Sequence, residues 1–165
     1  MILRAKEKRD HNMNPSEKSR LAKEYFEQGY NCAQSVLLAF CDETGLSLDQ
    51  AARLASTFGG GMGRMREVCG AVSAMFMVEG LVEGYSDPKA KEEKSEVYAR
   101  VRTLADRFRE KNHSIICREL LIDADVTPGG EPEARTKAYY ERRPCGCYVE
   151  DAALILAESL AQSNP

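Results

Sequence analysis

Histidine is scarce in this chain: His11 and His113 are the only two among 165 residues. Neither a Ser-His-Asp nor a Cys-His-Asn arrangement can be assembled convincingly from two histidines. Long apolar runs are missing too. The longest, Ala71 to Val82, carries Glu79 and falls short of the roughly 18 residues of a membrane span. There is no basic excess: the formal net charge is −3, which argues against a general nucleic-acid binder. Met1 to Asn14 is charged, has no apolar h-region and holds no twin-arginine pair, so it does not read as an export signal. The expected location is the cytoplasm. Short-spaced cysteine pairs of the C-x-x-C kind are absent, which removes the usual signature of a structural zinc site. The glycine-rich run Gly59-Gly60-Gly61-Met62-Gly63 follows an apparent helix and lacks a succeeding Gly-Lys-Ser/Thr, so a phosphate loop is excluded.

What is present is six cysteines. In a reducing compartment they are a poor disulfide framework, and metal binding or redox chemistry is the better expectation. The chain is long enough for one domain with its own core. A polar leader over residues 1–14 precedes a single helical domain over residues 15–165. Asn14 with Pro15 opens a first helix, stopped by Gly29. Asn31 caps a second, Cys32 to Thr44, apolar almost all round and therefore central. Cys32 and Cys41 lie nine residues apart on it and face opposite ways, so only one of them can join a given site.

Ser47 and Gln50 form a capping-box pair for a third helix, to about Thr57. A fourth starts near Cys69 and ends near Val82. A long charged fifth helix spans Pro88 to about Lys111, with Val97, Val101, Leu104, Ala105 and Phe108 as its core stripe. Asn112 and His113 break it, and Ser114 is a cap for a short helix from Cys117 to Leu121. A helical turn or two in residues 134–143 and a last helix from Val149 to Ala161, burying Ala153, Leu154, Ala157 and Leu160, complete an all-α fold of five to seven helices. No period-2 strand is evident.

The centre of the pattern is Phe58 to Met75. A cysteine opening the fourth helix meets unpaired amide groups and the helix dipole, with Arg64 and Arg66 nearby in sequence. Both effects would lower the Cys69 thiol pKa and favour the thiolate that attacks disulfides or binds metal. Gly59, Gly60, Gly61 and Gly63 allow close backbone approach or positive φ, and Gly70 keeps space beside the sulfur. The plainer alternative is a buried helix-start cysteine. Cys145 has a similar setting after Pro144, with Cys147 two residues on. His113, four residues before Cys117, is better read as a capping or surface residue than a ligand. Met62, Met65, Met75 and Met77 are explained by packing more readily than by a soft-metal box.

Asn31-Cys32-Ala33-Gln34, the Phe58 to Gly63 run, Cys69-Gly70-Ala71-Val72, Cys117-Arg118, and Cys145 ahead of Val149-Glu150-Asp151-Ala152 occur in this order. The combination resembles the C_GCAxxG_C_C family of redox-active proteins, over roughly Tyr25 to Ala161. By that resemblance the characteristic cysteines are Cys32, Cys69, Cys117 and Cys145, with Cys41 and Cys147 as extras. The family's second motif glycine is Ala74 here, still a small residue. The resemblance implies a helical domain with four converging cysteines that hold an iron–sulfur cluster or cycle as redox thiols. A similar domain in split-Soret cytochromes favours the cluster and a homodimer; with no C-x-x-C-H, the haem does not carry over.

Three functional expectations follow. The first is an electron carrier or sensor whose four cysteines ligate an iron–sulfur cluster. The second is a thiol–disulfide oxidoreductase or redox sensor that attacks through Cys69 and resolves through Cys145 or Cys32. The third is structural zinc or an inert interaction domain. The partners expected are a redox protein and, through apolar surface on the second and fourth helices, a second copy of the chain.

Overall fold

The helix starts are set by local hydrogen bonds. Asn14 Oδ1 accepts from Glu17 N–H at 3.0 Å and the Glu17 carboxylate accepts from Asn14 N–H at 2.8 Å, opening α1 (Pro15–Glu27). Asn31 and Gln34 exchange the same pair of bonds at the start of α2 (Cys32–Ala39), and Ser47 and Gln50 at the start of α4 (Leu48–Ala55). Each reciprocal box satisfies two amides that a helix end otherwise leaves unpaired. The computed structural model describes residues 13–124 and 126–163. Most of the expected polar leader, His11 included, therefore lies outside the described residues.

The second helix is not continuous. Phe40 departs from helical φ at −114°, and the chain restarts as the four-residue α3 (Cys41–Thr44), closed by Gly45 in the left-handed region at φ 71°. The break leaves the α2 carbonyl of Ala39 free to accept from Lys18 Nζ at 2.8 Å, and the same ammonium pairs with Glu43 at 2.7 Å. That accounts for a lysine only 2 % exposed. A 3₁₀ turn (Ser56–Phe58) follows α4.

The remaining helices are α5 (Gly70–Glu83), α6 (Lys91–Asn112), α7 (Cys117–Leu120), α8 (Lys137–Arg142) and α9 (Cys145–Ser163). A second 3₁₀ turn, Ile122–Ala124, follows α7. Six of the nine helices among the described residues have eight residues or more, and no strand is formed there. Ser114 does not cap α7. Its hydroxyl accepts from Ile116 N–H at 2.9 Å, and the cap position is Ile116 itself. The last helix begins four residues ahead of its expected start, directly after Pro144, because Cys147 N–H and Tyr148 N–H both reach the Pro144 carbonyl.

Helix α2 is the centre of the domain. Ala33 and Val36 through Phe40 are all nearly inaccessible, packed among α1, α4, α5 and α9. The apolar surface expected on α2 for a second copy is therefore spent inside one chain. Ala71, Val72, Ala74, Met75 and Val78 put most of α5 into the same core. On α6 the expected stripe is buried except Val101, which is half-buried. On α9 Ala153 and Ala157 are buried as expected, joined by Val149, Ala152, Ile155 and Leu156. Leu154 and Leu160 are half-buried.

One carboxylate sits in this core. Glu79 is 1 % exposed and pairs with Arg100 at 2.9 Å, across from α5 to α6. Burial raises its pKa and Arg100 opposes the rise. Arg100→Met should leave that carboxylate desolvated without a partner. The expected loss is roughly 1–3 kcal/mol of unfolding free energy in urea, and a companion Glu79→Gln should recover part of it.

Candidate functional site

Residues 66–69 and 115–118 run side by side. Cys69 N–H donates to Ile115 O at 2.8 Å, Cys117 N–H to Glu67 O at 2.6 Å, and Arg118 N–H to Arg66 O at 3.1 Å, around an isolated antiparallel bridge between Val68 and Ile116. This pairing holds the segment that carries Cys69 beside the segment that carries Cys117. Cys69 then takes the cap position of α5, and Cys117 is the first residue of α7. Cys32 is the first residue of α2, and Cys145 the first of α9. All four cysteines thus stand at the start of a helix, and all four line one cavity of about 40 Å³.

The glycines fix how closely these starts approach. Gly60, Gly61, Met62, Gly63 and Arg64 form five successive residues with φ between 58° and 68°. Arg66 has φ 61° as well. The left-handed run folds the loop back on itself, with Arg66 N–H bonded to Gly60 O and Glu67 N–H to Gly61 O. Three of these six are not glycine, and each such residue costs about 1–2 kcal/mol, a strain that gathers at the site. A Cβ at Gly61 would lie 2.6 Å from Cys117 Cβ, and one at Gly70 would lie 2.5 Å from Cys32 Sγ. Gly59 approaches Asn31 in the same way. Of the expected glycines, Gly61 and Gly70 press against cysteines of the cluster and Gly60 and Gly70 face the cavity, while Gly63 touches neither.

Arg64 and Arg66 do not act on Cys69 as their sequence positions suggest. The left-handed Arg66 is 1 % exposed and donates from Nη1 to Cys117 Sγ at 3.9 Å, while Arg64 donates from Nε to Gly129 O. Nor is the Cys69 thiol acidic. Burial raises its pKa well above the ordinary value, nearby Cys32 adds to the rise, and the amides of Val72 and Ala71 oppose it only in part. Burial likewise raises Cys117, against the pull of Arg66, and pushes Cys145 up to about 12. Desolvation of the charge outweighs the helix amides here.

Two consequences are measurable on metal-free protein. Alkylation at pH 8, read by peptide mass spectrometry, should be much slower at half-buried Cys145, whose thiol pKa is raised, than at the exposed Cys147; equal rates would contradict the desolvation argument. Stability should also fall with alkaline pH. An unfolded thiol ionises near its ordinary 9.0, whereas folded Cys145 holds its proton to about 12. Between those values the folded state binds more protons, so raising the pH favours unfolding. A melting temperature that rises between pH 9 and 11 would overturn this.

Cys41 and Cys147 stay outside the cluster. Cys41 Sγ lies against Leu37 O at 3.9 Å, and Cys147 opens on a separate surface cleft with Lys23 and Glu27. His113 is exposed and ends α6 with φ 70°, without lining the cavity. All six cysteines are free thiols. Among the described residues no three His, Cys, Asp or Glu side chains stand close enough, as placed, to close round one metal ion.

The sequence reading missed three residues of the site. Arg135, Arg143 and Tyr139 line the cavity with the cysteines. Arg143 precedes Pro144-Cys145, a proximity that could have drawn attention to it. Arg135 carries no local signal: its guanidinium stacks on Phe26 and Tyr139, each 4.7 Å away. Among the described residues, Arg66 Nη2, Arg135 Nη1 and Arg143 Nε are buried donors without an acceptor.

A family model described as "Putative redox-active protein (C_GCAxxG_C_C)" matches residues 30–159. No curated protein and no solved structure matches the chain. Among the described residues no helix is long and apolar enough to cross a membrane.

Proposed function

Since this chain belongs to the C_GCAxxG_C_C family of redox-active proteins, we propose that Cys32, Cys69, Cys117 and Cys145 together hold an iron–sulfur cluster, for electron transfer or redox sensing. One observation carries the reading: four cysteines, each at a helix start, line the same small cavity. Four thiolates are the usual complement of such clusters, and the bound group supplies one-electron chemistry. The donor set fits an anionic group. Unpaired N–H donors of three arginines and the positive ends of α2, α5 and α9 favour negative charge.

Zinc is supported less well. Four sulfurs round one zinc ion must each come within about 2.3 Å of it, and the thiols do not stand that close as a group. A cluster spreads its ligands over separate iron atoms. The thiol–disulfide reading has one observation in its favour: Cys32 lies near enough to Cys69 to raise its pKa. The raised pKa of Cys69 weakens it, because the neutral thiol is a poor nucleophile. An electron carrier or sensor also requires a redox partner protein, and a cytoplasmic setting would keep the thiols reduced for cluster loading.

The test is anaerobic purification with an absorption spectrum and iron, sulfide and zinc analysis. A broad visible band with iron and sulfide in matching amounts is the expected outcome. A colourless protein that stays metal-free after reconstitution, with its helicity intact, would refute the cluster.

A further inference from the structure

The cysteine cavity has an antechamber. A cleft of about 490 Å³ adjoins it and shares Asn31, Gly60, Arg66, Arg135, Tyr139 and Arg143 with it. That volume falls in the roughly 300–1,000 Å³ range of small-molecule sites. Among the described residues, four arginines line the cleft, Arg64, Arg66, Arg135 and Arg143, against one carboxylate, Glu133. This is a cationic hollow in a chain whose net charge is −3.

The arginines are held in place but not used up. Arg66 gives Nε to Thr127 O and Nη1 to Cys117 Sγ, leaving Nη2 buried without an acceptor. Arg143, 7 % exposed, binds Glu133 through Nη2 and leaves Nε unpaired. Arg135 gives Nη2 to Tyr30 O at 3.1 Å and leaves Nη1 unpaired. A buried guanidinium donor without an acceptor is costly, and three such donors belong to residues that line this hollow. The internal carboxylate shows which chemistry the arginines take: Glu133 pairs with Arg142 and Arg143.

We propose that this cleft binds a small oxyanion-bearing ligand, such as a phosphate, sulfate or dicarboxylate, with its charged end on Arg64, Arg66, Arg135 and Arg143 at the mouth of the cysteine cavity. The site rests on the arginines and stands whether or not the cysteines hold a cluster. Planar guanidinium forks suit two-oxygen contacts of this kind. The position makes the ligand a substrate or effector of the thiol centre.

The experiment is isothermal titration of the full chain, metal-free and after iron–sulfur reconstitution, with inorganic phosphate, sulfate and succinate as separate probes at low ionic strength. Saturable one-site binding of at least one probe in both forms is expected, and the preferred probe names the oxyanion class. Arg64→Ala should weaken binding about tenfold, the loss of one charge-assisted contact of roughly 1.4 kcal/mol. Arg64 touches the cleft but not the cysteine cavity, so cluster content should not change. Glu133→Gln removes the competing carboxylate and should tighten binding several-fold, which damage to the fold would not do. Arg135→Gln serves as a second weakening variant. No saturable binding, binding indifferent to all three substitutions, or binding confined to the metal-free form would each overturn the proposal; the last would mean that the free donors serve the cysteine cluster alone.

Discussion

Cys69→Ser should strip the anaerobically purified protein of its visible absorption and of its iron and sulfide, down to background. A serine hydroxyl is a weak substitute for thiolate at iron, and Cys69 sits where the cavity meets the start of α5. The fold should survive. The Cys69 thiol is a weak cap towards the amides of Val72 and Ala71 and forms no full capping bond, whereas serine is among the favoured residues at a helix cap and typically adds about 1 kcal/mol there. Loss of the cluster with an unchanged or slightly raised urea midpoint is therefore the signature. The same loss is expected for Cys32→Ser, Cys117→Ser and Cys145→Ser. Cys41→Ser and Cys147→Ser should keep full content, since neither residue reaches the cavity. If Cys69→Ser retained its metal, or Cys147→Ser lost it, the ligand assignment would be wrong.

Gly61→Ala is expected to cost roughly 3 kcal/mol or more of unfolding free energy, from two sources that a control can separate. The first is conformational. Gly61 has φ 68°, and a side chain in that region costs about 1–2 kcal/mol. The second is steric. The new methyl would meet Cys117 Cβ at 2.6 Å, Glu67 N at 2.8 Å and Arg66 C at 3.0 Å, two of them backbone atoms that cannot swing aside. Gly45→Ala has the first penalty alone, because φ is 71° and nothing lies within 4 Å. Chemical denaturation of both variants should show the larger loss at Gly61, with Cys117 more open to alkylation as the loop and α7 part. Equal losses would mean that the contact between glycine and cysteine does not hold the cavity shut.

These two experiments bear on different layers of what the sequence reveals. The caps were legible because capping is local: Asn14, Asn31 and Ser47 each meet their partners three residues on. Cys32, Cys69, Cys117 and Cys145 were expected as an ordered set by resemblance, and all four line one cavity. The break at Phe40 was not legible, because apolar residues continue without interruption from Val36 through Cys41 and no glycine or proline marks the turn. The acidity of Cys69 was misjudged for a related reason. Sequence exposes the favourable neighbours, a helix start and two arginines. It does not expose burial, which dominates. Arg66 is the clearest case. Its neighbours in sequence suggest Cys69, yet a positive φ and the pairing of residues 66–69 with 115–118 turn it towards Cys117.

The four cysteines are spread from residue 32 to residue 145, each on a different helix. During synthesis the first three emerge well before the last. Helix α9, which carries Cys145 and packs against α1, α2, α5 and α6, is made after every other wall of the cavity. A nascent chain up to Arg143 thus offers three of the four cavity thiols, before α9 has arrived. The docking of α9 is the moment at which one chain first has all four sulfurs to offer.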